Sequence, residues 1–350
     1  MSQTTLYAGV LAKIGSERSK LLSETKLKTL VESKDLPAFA AQFRDTTYQT
    51  QISKVPLPIT SRKLERSFNE NLIESYAVIV KNSPKKAADY LKLYPLKFEV
   101  ENIKTLIKAA NLNLSPEQKQ AKIYLSVEDY LKKRPVIEEA TKAPTVKQLV
   151  NALKSTEYAS NLSIGLQNYE ETGSTARLDM LLDKVFFERL YESYIQLPKE
   201  EKPHALFYAS TENDSFTLLT LLRGKILNYD ANWLRIAVPH NNFNLTMDCV
   251  EALLSAPDFE SALKIVLEGH YVKFFVKSPN PQEIVSNAEK AFKKAGLQHA
   301  KATRIGESFN IGAALAFMIQ KETEVHNLNA ISAGVEAAVK PEEIQNQLFF

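Results

Sequence analysis

At 350 residues, 44% hydrophobic and 24% charged, the chain is too apolar to be disordered and long enough for two or three cores. Its 10 glycines, roughly 3% against a usual ~7%, argue against glycine-rich phosphate loops and turn-dense β folds and favour helices. The net charge of +3 is unevenly spread: basic residues outnumber acidic ones 19 to 12 over residues 1–121, then trail 15 to 16 over 122–238 and 10 to 13 over 239–350.

The basic first third suits solvated helix faces, an anionic lipid surface or an acidic partner. Nucleic acid is disfavoured, because the basic residues do not interleave with aromatic ones. The opening MSQTTLYAGVLAKIGSERSK lacks the order of basic region, apolar run and cleavage site that marks a secretory signal. A soluble intracellular protein is expected.

Val31 to Leu36 (VESKDL) reads as a helix end, a small-residue loop, an acid near the next helix start and an apolar anchor. KVPLPITSRK (54–63) then breaks the chain. Glu99 opens EVENIKTLIKAANLNLSPEQ, whose apolar residues Val100, Ile103, Leu106 and Ala110 trace one stripe of a helix. Ser115 is placed as an N-cap, with Pro116 at the first helical position and Gln118 completing a capping box. A join falls near Gln120–Lys122.

Leu153 to Tyr158 (LKSTEY) repeats the earlier helix-end pattern, and LPKEEKPH (197–204) is a second proline break. DSFTLLTLLRGKILNYDANW, from Asp214, restates the Glu99 stretch in degenerate form. Ser215, Leu218, Leu221 and Lys225 fall at the stripe positions, Thr217 stands in place of Asn102, and Asp230 offers the cap. A second join falls near VPHNNF (238–243). Leu254 to Phe259 (LSAPDF) gives the helix-end pattern a third time. YVKFFVK (271–277) reads as a short strand or a helix end, KSPNPQEI (277–284) is a third proline break, and Ile311 to Ile319 is a buried helix core about half a membrane span long. Glu324 opens EVHNLNAISAGVEAAVKPEE, which repeats the Glu99 pattern 225 residues later with Val325, Leu328, Ile331 and Val335 on the stripe and Lys340 where a cap is expected.

Two motifs thus recur three times in the same order. The expected fold is all-α, with three similar helical-bundle units at 1–121, 122–238 and 239–350. Reactive groups are sparse. None of the five histidines sits four residues from another or near Cys249, so no zinc site is expected; the lone cysteine reads as a small buried residue and excludes internal disulfides. GxSxG, GxGxxG and GxxxxGK[ST] are missing, and neighbouring acids such as Glu138 with Glu139 and Glu200 with Glu201 read as solvated faces. No catalytic residue, metal or cofactor is expected. The singled-out positions are Asn102 and Asn327, read as structural or solvated, Arg223 and Lys225 of the basic RGK, and His326, read as a surface or interface imidazole.

The tripled unit carried by EVENIKTLIKA, SFTLLTLLRGKIL and KETEVHNLNAI resembles the C-subunit family of V-type and A-type ATPases, as do Tyr7-Ala8, Leu21-Leu22, RDTTY (44–48) and RLDMLLDKVFFERL (177–190). In that family each unit carries an acid, an Asn-Leu/Ile pair and an Arg-x-Lys-like segment before a Pro/Glu helix start. Only Arg223 and Lys225 keep the basic pair; Lys108 and Ala110 replace it in unit one, and Ser332 and Gly334 in unit three. The resemblance implies a funnel with pseudo-threefold arrangement and a central opening. It also implies a non-catalytic central-stalk subunit, one copy per complex, at the cytoplasmic face of the membrane. Its partners would be the rotor ring of c/K subunits and the shaft subunits D and F, with no nucleic acid and no small-molecule substrate. A helical-repeat scaffold, open like a solenoid, is the alternative, and an all-α enzyme with no visible motif the third reading.

Overall fold

The computed structural model describes residues 3–303 and 309–350, and among these every regular element is helical. In chain order, α1 (Gln3–Arg18), α2 (Glu24–Val31), α3 (Leu36–Ala41), α4 (Gln49–Ile52), α5 (Ser61–Asn82) and α6 (Lys85–Leu91) lead to the long α7 (Leu93–Asn111) and the short α8 (Pro116–Gln120). Next come α9 (Leu125–Leu131), α10 (Arg134–Lys142), α11 (Val146–Ala152), α12 (Ala159–Thr172) and α13 (Ala176–Ile195), followed by the long α14 (Lys202–Ile226) and short α15 (Ala231–Ala237). The last set is α16 (Met247–Ser255), α17 (Phe259–Leu267), α18 (Pro281–Ala302), the long α19 (Ile311–Glu336) and the short α20 (Pro341–Gln345). Each proline break falls between helices, as the sequence reading expects. YVKFFVK is neither strand nor helix end but a 3₁₀ turn over Val272–Phe274 that buries Tyr271 and Phe274.

Two compact units form: Met1–Leu91 with Lys294–Phe350, and Lys92–Lys293. In the first, α19 packs against α5 and α1, and Ile311 to Met318 are all buried. Its aromatic core sets Phe39, Phe43, Tyr48 and Phe68 at ring-centroid distances of 5.1–6.2 Å, mostly edge to face. In the second, α13 packs between α7, α12 and α14, while α17 lies on α14.

The three long helices end alike. Asn113, Asn228 and Ala338 lie 115 and 225 residues apart and take φ of 53°, 55° and 52°. One residue later, Leu114 N, Tyr229 N and Val339 N donate to Ala109 O, Gly224 O and Gly334 O at 3.0, 2.9 and 2.9 Å, closing three Schellman-type ends. The chain then restarts as expected. Ser115 makes its full capping box with Gln118, Asp230 accepts from Trp233 N, and Lys340 holds the cap position with no side-chain bond.

These ends fix the register and correct two sequence assignments. Arg223 and Lys225 correspond to Ala333 and Val335 in the third copy, not to Ser332 and Gly334. The helix-end motif of the second copy is also displaced. Asp35, Thr145 and Asp258 are the equivalent caps, each accepting from the N–H three residues on. VESKDL and LSAPDF therefore match the residues around Thr145, whereas LKSTEY belongs one helix later. The sequence match failed because Thr145, which caps its helix through a hydroxyl, carries no charge to reveal it.

Candidate functional site

The repeat becomes physical at three buried acids. Glu99, Asp214 and Glu324 occupy one position of α7, α14 and α19, and all are buried. A carboxylate removed from water is costly unless it is paired and hydrogen-bonded, so each must find partners. A tyrosine of the turn that follows the corrected cap stands by each acid: Tyr48, Tyr158 and Tyr271 each lie thirteen residues after Asp35, Thr145 and Asp258, and two of the three, Tyr48 and Tyr271, donate to the carboxylate.

At α19, Glu324 Oε1 accepts from the Tyr48 hydroxyl at 2.6 Å and from Lys321 Nζ at 2.8 Å, and Oε2 accepts from Leu22 N. Lys321 Nζ lies 2.7 Å from the Tyr48 oxygen and 4.1 Å from its ring centroid. Burial holds the Lys321 ammonium below its usual range against the pull of Glu324, and burial with the Glu324 charge pushes the Tyr48 phenol well up. At α14, Asp214 accepts from the Tyr271 hydroxyl at 2.7 Å and from Phe243 N and Asn244 N at 2.9 and 2.7 Å. At α7, Glu99 accepts from Lys133 Nζ at 2.9 and 3.1 Å, and that ammonium lies 5.5 Å from the Tyr158 ring centroid.

In each case the tyrosine-bearing turn of one repeat docks on the long helix of the repeat before it. Tyr158 meets α7, Tyr271 meets α14, and Tyr48, from the first repeat, meets α19 of the last. Each of these pairs lies within one of the two compact units.

The singled-out asparagines sit three residues beyond two of these acids and fasten backbone. Asn102 Nδ2 donates to Tyr124 O at 3.0 Å, and its Oδ1 accepts from Tyr124 N at 2.7 Å. Asn327 repeats this on Phe349, at 2.8 and 2.9 Å. Both reach the residue 22 positions on, so neither faces water. Thr217 is too short for the double bond; its hydroxyl donates to Asn242 Oδ1 at 2.7 Å, and Asp214 takes over the backbone N–H groups.

Lys225 turns inward, donating to Leu254 O and Ala256 O at 2.7 and 2.6 Å at the end of α16. In the previous repeat the same task falls to Lys119, buried on α8, which donates to Ala143 O at 2.5 Å at the end of α10. Two lysines from different helices thus satisfy equivalent orphan carbonyls. Burial lowers both ammonium pKa values. Arg223 is exposed and pairs with Glu289, and His326 is exposed with its ring 5.2 Å from that of Phe349. Cys249 is half-buried rather than enclosed and lines a cavity of about 210 Å³ with Leu218, Thr246, Ile265 and His270. Glu138 and Glu139 pair outward with Arg134 and Lys142, but Glu201 is buried, against expectation. Sequence reading named Tyr48 within RDTTY and took Tyr158 for an apolar anchor, but placed neither of them, nor Tyr271 or Lys321, beside a buried acid; the thirteen-residue spacing from cap to tyrosine was the available signal.

The fold and these sites define a class: a helical body whose buried polar groups fasten helix to helix, built by repetition. The model of the ATP synthase (C/AC39) subunit family matches residues 10–347. The C subunit of the A-type ATP synthase of Methanocaldococcus jannaschii is 30% identical over 346 residues, spanning 98% of this chain and 86% of that protein. Those of Pyrococcus abyssi and Thermococcus kodakarensis are 26% and 24% identical, spanning 98% and 97% of this chain and 90% of each relative. The chain belongs to the ATP synthase (C/AC39) subunit family, whose A-type members are non-catalytic subunits of a rotary ATPase. Among the described residues no helix is long and apolar enough to cross a membrane.

Proposed function

We propose that this chain is the coupling piece of the central stalk: it seats on the membrane rotor ring of c/K subunits, receives the foot of the shaft formed by subunits D and F, and passes rotation between them. One copy serves each complex, attached peripherally at the cytoplasmic face of the membrane. The three units, 1–121, 122–238 and 239–350, stand in pseudo-threefold order around a central opening, forming a funnel.

The cyclic docking of Tyr158, Tyr271 and Tyr48 on the preceding long helices carries this reading. A series whose first member binds its last suits a closed ring of bundles better than an open solenoid, which leaves end repeats to be capped. Hydrogen-bonded, charge-assisted joints inside close-packed helices also suit a part that transmits torque, because they resist shear. Each repeat further presents an apolar side chain just past its long helix: Leu112 and Leu227 are 69% and 60% exposed, and Val339 is 38% exposed. These, with exposed Arg223 and His326, are the contact candidates, whereas Asn102, Asn327 and Lys225 act within the body.

The test is reconstitution. A complex assembled without this chain is expected to hydrolyse ATP without moving ions, and adding the chain back restores coupling. Coupled transport at full yield in its absence would sink the proposal. Small-angle scattering tests the shape separately: a closed threefold body gives a compact profile, a solenoid an elongated one.

A further inference from the structure

One junction differs from the others. After Tyr124, the residue held by Asn102, the chain inserts α9, while the corresponding stretch after Phe243 runs directly to the Thr246 cap of α16. α9 packs on α7 and α10, and turns Val127 and Glu128 inward, both 0% exposed. Glu128 Oε1 accepts from Asn102 Nδ2 at 2.6 Å; Oε2 has no hydrogen-bond partner, and neither has the buried Tyr158 hydroxyl in the same cluster.

The charges around Glu128 are already matched. From α7 comes Glu99, bound by Lys133. Lys133 also binds Glu157, which precedes Tyr158, at 2.6 Å, and Arg189 from α13 reaches the same Glu157 oxygen. On α9 itself, Asp129 is paired with Arg134 of α10, which also reaches Glu138. Two carboxylates, Glu99 and Glu157, therefore face two cations, Lys133 and Arg189. An ionised Glu128 would be a third negative charge, fully buried and with one amide donor, whereas a neutral one leaves the cluster balanced.

We propose that a proton on Glu128 latches α9 to α7, so that this junction tightens on acidification and loosens towards neutral pH. The direction of its titration agrees: burial, reinforced by Glu99 and opposed by the Asn102 hydrogen bond and Lys133, raises the carboxyl from 4.5 to about 7. Because the closed form holds the proton more tightly than the open one, closing takes up a proton. The latch has its full strength below about 4.5, weakens as pH climbs through the interval up to about 7, and is constant above it. The other two acids are fastened by tyrosine hydroxyls; α1 precedes α2 and packs on α19 much as α9 precedes α10 and packs on α7, but Glu324 there is already bound by Lys321, so the latch is assigned to the α7 joint.

Hydrogen exchange on the full chain, corrected for the intrinsic pH dependence of amide exchange, reads the latch directly. Opening of Leu125–Leu131 is expected to grow by up to roughly tenfold per pH unit between about pH 5 and about pH 7 and then level off. In Glu128→Gln, which is permanently neutral, opening should stay at the acidic wild-type level throughout. The same pH course in both proteins would overturn the proposal. Carbon-13 titration of the wild-type Glu128 carboxyl needs no variant: a midpoint near 7 supports the latch, and one near 4.5 refutes it.

Discussion

Asn102 and Asn327 show what a single residue does in this fold. Each amide matches the N–H and C=O of one distant backbone residue, so the side chain substitutes for a strand neighbour in a protein of helices. Removing it strands both backbone groups beside a buried site. Asn327→Ala is expected to cost about 2–3 kcal/mol in denaturant unfolding, two hydrogen bonds at roughly 1–1.5 kcal/mol each, whereas an exposed asparagine would cost almost nothing. The sequence offered both residues at matching offsets but left open whether they bound backbone or water. Glu128 was wholly invisible. Its neighbours come from α7, the α11–α12 turn and α13, and nothing local distinguishes it from a solvated glutamate such as Glu138.

Helix ends are the most regular elements here, and their stereochemistry differs in quality between copies. Asn113 and Asn228 tolerate left-handed backbone, whereas Ala338 holds φ of 52° with a Cβ that crowds the carbonyl. Ala338→Gly should raise thermal stability by about 1 kcal/mol, and a loss of stability would show the end to be something other than a relaxed Schellman turn. Four residues before the left-handed position a different constraint applies. A Cβ on Gly224 would collide with Leu234 Cδ2, and one on Gly334 would stand 2.6 Å from Ile344 Cγ1. The first copy has Ala109 at that place, with Lys119 in place of the branched residue. Gly224→Ala is therefore expected to destabilise by about 1–3 kcal/mol, and Leu234→Val, which lacks the offending methyls, to return part of that loss in the double variant. Strictly additive effects would contradict the contact. The caps Ser115 and Asp230 were legible beforehand because capping is local. The phase of the helix-end motif was misread because Thr145 and Asp258 share a function and not a charge.

For the whole chain, the basic excess over residues 1–121 and the exposed apolar corners make opposite predictions about attachment. If the lysine surplus seats the body against the ring and its lipid headgroups, sedimentation with ring-containing membranes should fall steeply between low and high salt. The neutral change Leu112→Ser should then alter binding little at either. Salt-independent binding that is lost in Leu112→Ser would assign the contact to apolar surface alone.

By itself the sequence determined that the chain is helical, that one pattern is stated three times, where most helices break and restart, and which family it resembles. Those are consequences of periodicity, proline and capping, all short-range. Only the tertiary structure decided that the turn carrying Tyr48, near the start, closes on Glu324, near the end, that lysines from different helices cap equivalent carbonyls, and that Glu128 is buried without a cation bound to it. Such facts depend on which groups lose their water together, and burial is a property of packed neighbours, not of a residue or its place in the chain.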